Sequence, residues 1–185
     1  RDHRALQITQ STLFLPKKLT SVSINRAKIE FDRDCRMLPQ GGNFYINQCR
    51  FSSTTGQYNG HMGLEFFDHN QKVSLNNSIF EYGKYGVYAK NSNIKFDHCR
   101  FEHCNTGVVT NGGNYNFPSC SFKNNSLGWK AFGMSNDIKM TFCVIENNTQ
   151  GISFTGVTGN LFLTACNVIK NTKGGVMIEG SELRV

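Results

Sequence analysis

An apolar residue followed six positions later by glycine recurs down this chain, as Phe80/Gly86, Phe101/Gly107, Phe122/Gly128, Ile145/Gly151 and Ile169/Gly175. Each glycine opens a short apolar strand, for example Val87-Tyr88-Ala89, Val108-Val109-Thr110 and Ile152-Ser153-Phe154. A looser copy runs from Phe51 to Gly63, with about six extra residues between the same landmarks. Before each anchor the sequence alternates apolar and polar, as in NFYIN at 43, KVSLN at 72, NIKFD at 93, DIKMT at 137 and NLFLT at 160, and a period of two is that of a strand. A small residue follows: Cys49, Ser78, Cys99, Cys120, Cys143 and Cys166, at spacings of 29, 21, 21, 23 and 23 residues. KIEFDRDC, ending at Cys35, is expected to open a further, degenerate unit.

One such unit cannot bury its own apolar face, whereas stacked units bury Phe on Phe and Cys on Cys along a common axis. A period of 21 to 24 residues with several short strands is a solenoid signature, and the regular Leu and Asn pattern of leucine-rich repeats is missing. The repeat resembles those of right-handed parallel β-helices of the pectate-lyase-like superfold, including NosD-like repeats and large secreted bacterial surface proteins. The expected fold is therefore all-β, a right-handed parallel β-helix of about seven coils over residues 28–185, with residues 1–27 as an irregular start or cap. The array is expected to continue past the C-terminus as part of a longer chain. Stacked ladders are expected of Cys49, Cys99, Cys120, Cys143 and Cys166, of Phe80, Phe101 and Phe122, and of Gly86, Gly107, Gly128, Gly151 and Gly175, the glycines supplying backbone freedom at a sharp bend.

Composition agrees, with 15 Phe and 18 Gly but few of the Ala, Leu and Glu combinations that build helices. The net charge of +7 permits an acidic polysaccharide partner, yet the basic residues are scattered, Lys17-Lys18 being the only lysine pair, and no nucleic-acid module is present. No apolar run is long enough to span a membrane. No cofactor motif occurs. The odd cysteine count argues against a closed disulfide framework.

Glu102-His103-Cys104, with His98-Cys99 close by, has the residue types of a metal site, so His98, His103 and Cys104 are weighed as ligands. The same positions in later repeats hold Lys123-Asn124-Asn125 and Glu146-Asn147-Asn148, which makes the stretch a turn in a series. A charged ladder of Glu81, Glu102, Lys123, Glu146 and Lys170 follows the anchors. In the post-glycine strands the outward residues should be Glu65 and Phe67, Tyr88 and Lys90, Val109 and Asn111, Lys130 and Phe132. Lys90 and Lys130 are the best fragment of a lyase-type catalytic site, in which a basic group removes a proton beside a neutralised uronate. Tyr88 and Phe132 beside them, and Tyr58 on the insertion at 52–62, are candidate binding aromatics. Paired carboxylates at glycosidase separation are not found on this face.

The expectation is a non-catalytic, rod-like segment of a larger secreted or cell-surface protein of the bacterial envelope, used for display, adhesion or assembly with polysaccharide or other surface proteins. The alternative is a carbohydrate-active protein, lyase-like if an enzyme, that acts on or binds acidic polysaccharide.

Overall fold

Short strands separated by turn residues cannot satisfy their backbone groups locally, so donors and acceptors must be met by the chain one turn above and below. The computed structural model describes residues 6–9, 12–15, 20–56, 58 and 60–184, and the strand pairings among them are parallel. The Lys17-Lys18 pair lies outside the described residues.

Three strand faces enclose one core. The short-strand face stacks Leu6–Ile8, Lys28–Phe31, Arg50–Ser53, Ile79–Glu81, Arg100–Glu102, Ser121–Lys123, Val144–Glu146 and Asn167–Ile169. The post-glycine face contains Arg36–Pro39, Gly63–Phe67 and Tyr85–Lys90, and the alternating face contains Asn43–Asn47, Val73–Asn76 and Ile94–Asp97. Further along, Thr106–Pro118, Leu127–Thr141 and Gln150–Thr164 each run through both of these faces, absorbing the corner between them as register shifts. The molecule is an all-β parallel solenoid of about seven coils.

Inside, the rings of Phe51, Phe80, Phe101 and Phe122 stack at successive centroid distances of 4.9, 5.2 and 5.0 Å. Trp129 is fully buried, and its indole N–H donates to Thr110 Oγ1 at 3.1 Å. Cys49, Cys99, Cys120, Cys143 and Cys166 follow one another down the corner before the short strands, with Ser78 between the first two. Their thiols donate to carbonyls of the preceding coil, Cys99 to Leu75 at 3.1 Å and Cys143 to Phe117 at 2.9 Å. None of the seven cysteines forms a disulfide.

Several details differ from the sequence reading. Residues 6–25 contribute three described strands, Leu6–Ile8, Thr12–Leu15 and Ser21–Asn25, that pair in parallel with the next coil, where an irregular start was expected. Cys35 does not continue the cysteine ladder: Ala27 follows the left-handed Arg26, and Lys28–Phe31 is a short strand whose Ile29 pairs with Phe51. In the last coil the anchor over Ile145 is Val168, while Ile169 is outward and exposed, above Glu146. Lys170 therefore leaves the charged ladder for the turn, although its Nζ still reaches Glu146 at 3.4 Å.

The corner glycines also act differently. Gly86, Gly107, Gly128 and Gly151 are not left-handed; a Cβ on Gly107 would stand 2.5 Å from the Gly128 carbonyl oxygen. They are required for close approach between coils. The left-handed turn positions are taken by Gln48, Asn77, His98, Ser119, Phe142 and Ala165 before the short strands, and by Tyr82, His103, Asn124, Asn147 and Lys170 after them.

Candidate functional site

The corner after the short strands is lined by one inward position per coil, in order Cys35, His61, Gly83, Cys104, Asn125 and Asn148, and the carbonyl of each accepts from the N–H one residue past the equivalent position in the next coil. Asn125 Nδ2 donates to Phe101 O and to Asn148 Oδ1, both at 3.0 Å, and Asn148 repeats the pattern with Phe122 O and Asn171 Oδ1. Cys104 occupies this ladder, its N–H donating to Asn125 Oδ1 at 2.9 Å. Burial pushes its thiol up to about 12, so it stays protonated. His103 turns outward, stacked on Tyr82 at 5.3 Å, while His98, at the opposite end of strand Arg100–Glu102, bonds Asp97 at 2.6 Å. The fold thus separates His98, His103 and Cys104, and among the described residues no group of three or more His, Cys, Asp and Glu side chains is placed to hold a metal ion.

His61 closes the insertion and fills the room left by Gly83. A Cβ on Gly83 would sit 2.8 Å from its ring. The His61 ring stacks on Phe31 at 4.8 Å, and Nε2 donates to Glu81 O at 3.0 Å. That bond fixes the tautomer and leaves Nδ1 buried without a partner. Desolvation holds the imidazole down at about 4. Tyr58, earlier in the insertion, lies edge-on to His103 at 6.2 Å and donates its hydroxyl to Asn124 O at 2.9 Å. It is a strap across corners, apart from the other candidate aromatics.

On the post-glycine face, register aligns Glu65, Tyr88, Val109, Lys130 and Ser153 in one outward row and Phe67, Lys90, Asn111, Phe132 and Thr155 in the next. Lys90 and Lys130 stand in different rows and different coils. Lys130 Nζ lies 5.7 Å over the Phe132 ring. Tyr88 is flanked by Phe67 and Tyr85, each at 5.5 Å. Glu65 is the surprise of this face: it points outward but is only 3% exposed, and its Oε2 accepts from Arg36 Nη1 at 3.1 Å. Desolvation raises its pKa against the pull of Arg36. Sequence reasoning put Glu65 outward but not buried, because no sequence pattern shows that Arg36 binds it from the neighbouring coil.

Other carboxylates are similarly engaged. Arg50 Nε donates to Glu81 at 2.6 Å, Arg100 to Glu102 at 2.7 Å, and Lys123 and Lys170 flank Glu146 at 3.1 and 3.4 Å. No second carboxylate stands in the coils next to Glu65 on the outward rows of its face. An acid and base separated by about 5 to 9.5 Å, as glycoside hydrolysis requires, is not assembled there.

The alternating face carries a feature that the sequence reading missed: a shallow groove of about 620 Å³ floored by Ser74, Lys95, Asn116 and Lys139, with Asn93 and Asn114 on one wall. It is built from single residues of separate coils and has no continuous motif.

A model of the right-handed β-helix region matches residues 38–184. The chain belongs to the right-handed β-helix family. Comparison with curated proteins and with solved structures finds no match. Family membership accounts for the coil, its three faces and its ladders. A β-helix takes its function from side chains on the outer rows, and these differ from coil to coil here.

Proposed function

We propose that this β-helix is a non-catalytic, rod-like scaffold, a segment of a larger secreted or cell-surface protein that serves in display, adhesion or assembly. The observation that carries the reading is the fate of the charged outer residues. Glu65, Glu81, Glu102 and Glu146 are each held by a cation of the same or an adjacent coil, and among the described residues Lys90 and Lys130 form no ion pair with an acid. Carboxylates held in such pairs, those of Glu65, Glu81 and Glu146 bridging adjacent coils, are engaged with protein cations rather than turned toward a substrate.

The test is turnover. Acidic and neutral polysaccharides incubated with the chain should show no new reducing ends and no unsaturated products. Depolymerisation that disappears in Lys90→Ala or Lys130→Ala would replace the scaffold reading with a lyase-like one.

A further inference from the structure

We propose that the cysteine ladder binds a soft monovalent cation, Cu(I) or Ag(I), in linear coordination between Cys143 and Cys166. Cys99, Cys120, Cys143 and Cys166 hold the same corner of four consecutive coils, where the N–H groups of Ser121, Val144 and Asn167 donate to the carbonyls of Cys99, Cys120 and Cys143. Each Sγ has the same two carbonyl neighbours, one from the residue two positions back and one from the coil below. They lie at 3.6 and 3.1 Å for Cys99, 3.6 and 3.4 Å for Cys120, 3.7 and 2.9 Å for Cys143, and 3.5 Å each for Cys166. This repeated placement sets successive sulfurs one coil apart, about 4.8 Å. Bulk alone does not call for sulfur at this corner: Ala27 and Ser78 fill it in earlier coils, and Ser78 Oγ donates to Asn76 O just as a thiol does.

A disulfide does not suit this spacing, because equivalent Cβ atoms one coil apart stand about 4.8 Å from each other and a disulfide needs about 3.5–4.5 Å. A linear metal bridge does. A metal–thiolate bond is about 2.3 Å long, so two in line span about 4.6 Å, close to the rise of one coil. Tetrahedral zinc needs four converging ligands, whereas among the described residues no three His, Cys, Asp or Glu side chains converge. Two thiolates in line suit the soft cations instead. Cys166 is the point of entry, since it is partly exposed while Cys99, Cys120 and Cys143 are buried. On binding, the S–H bonds of Cys143 and Cys166 break, two sulfur–metal bonds form, and two protons leave to solvent. Neither the metal nor the sulfur changes oxidation state.

The test titrates the reduced chain, without oxygen, with Ag(I), and with Cu(I) in competition with a chromogenic Cu(I) chelator. Native mass spectrometry, sulfur-to-metal charge-transfer absorption and far-ultraviolet circular dichroism follow the uptake. Wild type should first take up one cation with loss of two protons, more tightly as pH rises, and keep its circular dichroism. Cys166→Ser and Cys143→Ser should each weaken that uptake by more than about a hundredfold, beyond the loss that an outer partner of a ligand causes. Cys49→Ser should bind as wild type does, because Ser78 separates Cys49 from Cys99. Ala27 and Ser78 show that the corner accepts either small residue, so Cys143→Ala repeats the test should Cys143→Ser lose the native spectrum. No uptake by the folded wild type, uptake that survives loss of the Cys143 thiol in a folded variant, equal weakening by Cys49→Ser, or uptake only with unfolding would overturn the proposal. Each of these results leaves the scaffold reading standing, since turnover alone decides that.

Discussion

Acidification should loosen this molecule through His61. The imidazole is buried in the corner ladder, with Nε2–H spent on Glu81 O and Nδ1 facing no acceptor or donor. Its pKa is about 4 in the folded chain against an ordinary 6.5. A base whose folded pKa is depressed binds protons preferentially when unfolded, so stability is full above about pH 6.5 and is lost as pH falls toward 4. The shift corresponds to about 3 kcal/mol in all, of which about 2 kcal/mol is lost between pH 7 and pH 5. The Glu81 carbonyl and the charge of the Glu81 carboxylate both favour the protonated ring, but desolvation outweighs them. Urea unfolding of wild type and His61→Gln at the two pH values isolates the effect, because the variant keeps His69 and every carboxylate while removing the buried imidazole. Wild type should lose about 2 kcal/mol more than His61→Gln on going to pH 5. Equal losses in the two proteins would refute the buried, neutral imidazole.

Other perturbations follow from the ladders. Gly107→Ala pushes a Cβ against the Gly128 carbonyl and should cost about 1–3 kcal/mol in denaturant titration. Asn125→Ala leaves Phe101 O and the Cys104 N–H without their partners, and should destabilise by about 1–3 kcal/mol per buried group exposed in this way. Phe142 is a bulky residue held at φ 54° and 66% exposed, so Phe142→Asn should raise the unfolding midpoint by about 0.5–1 kcal/mol equivalent. Thiol titration of the native protein should find Cys166 the first of the cysteines to react, because the other six are buried.

How much of this was legible depends on what each residue had to reveal. The Phe ladder, the cysteine corner and the parallel coil were readable because packing against identical neighbours repeats the same residue type at the same offset. Val168 and Ile169 are adjacent and equally apolar, so the sequence could not say which one turns inward; pairing of Val168 with Ile145 decides it. Cys35 imitated the ladder, while Ala27, the residue that belongs there, is small enough to fit and carries no distinguishing chemistry. Strand Ser21–Asn25 is hard to read because SVSIN supplies only modest Val and Ile side chains, and these remain partly exposed. Glu65 and the groove both depend on contacts between residues 21 to 29 positions apart, which a reading along the chain does not bring together.

One alternating register decides which side chains are packed and which face outward, and a slip of one residue would exchange them. Trp129, the only tryptophan, lies in that register next to Lys130 and is fully buried. The most direct measurement is its fluorescence under acrylamide quenching. The account predicts blue-shifted emission with little quenching until the protein unfolds. Red-shifted, freely quenched emission from the native protein would place Trp129 outside, invert the post-glycine face and contradict the arrangement on which the scaffold reading rests.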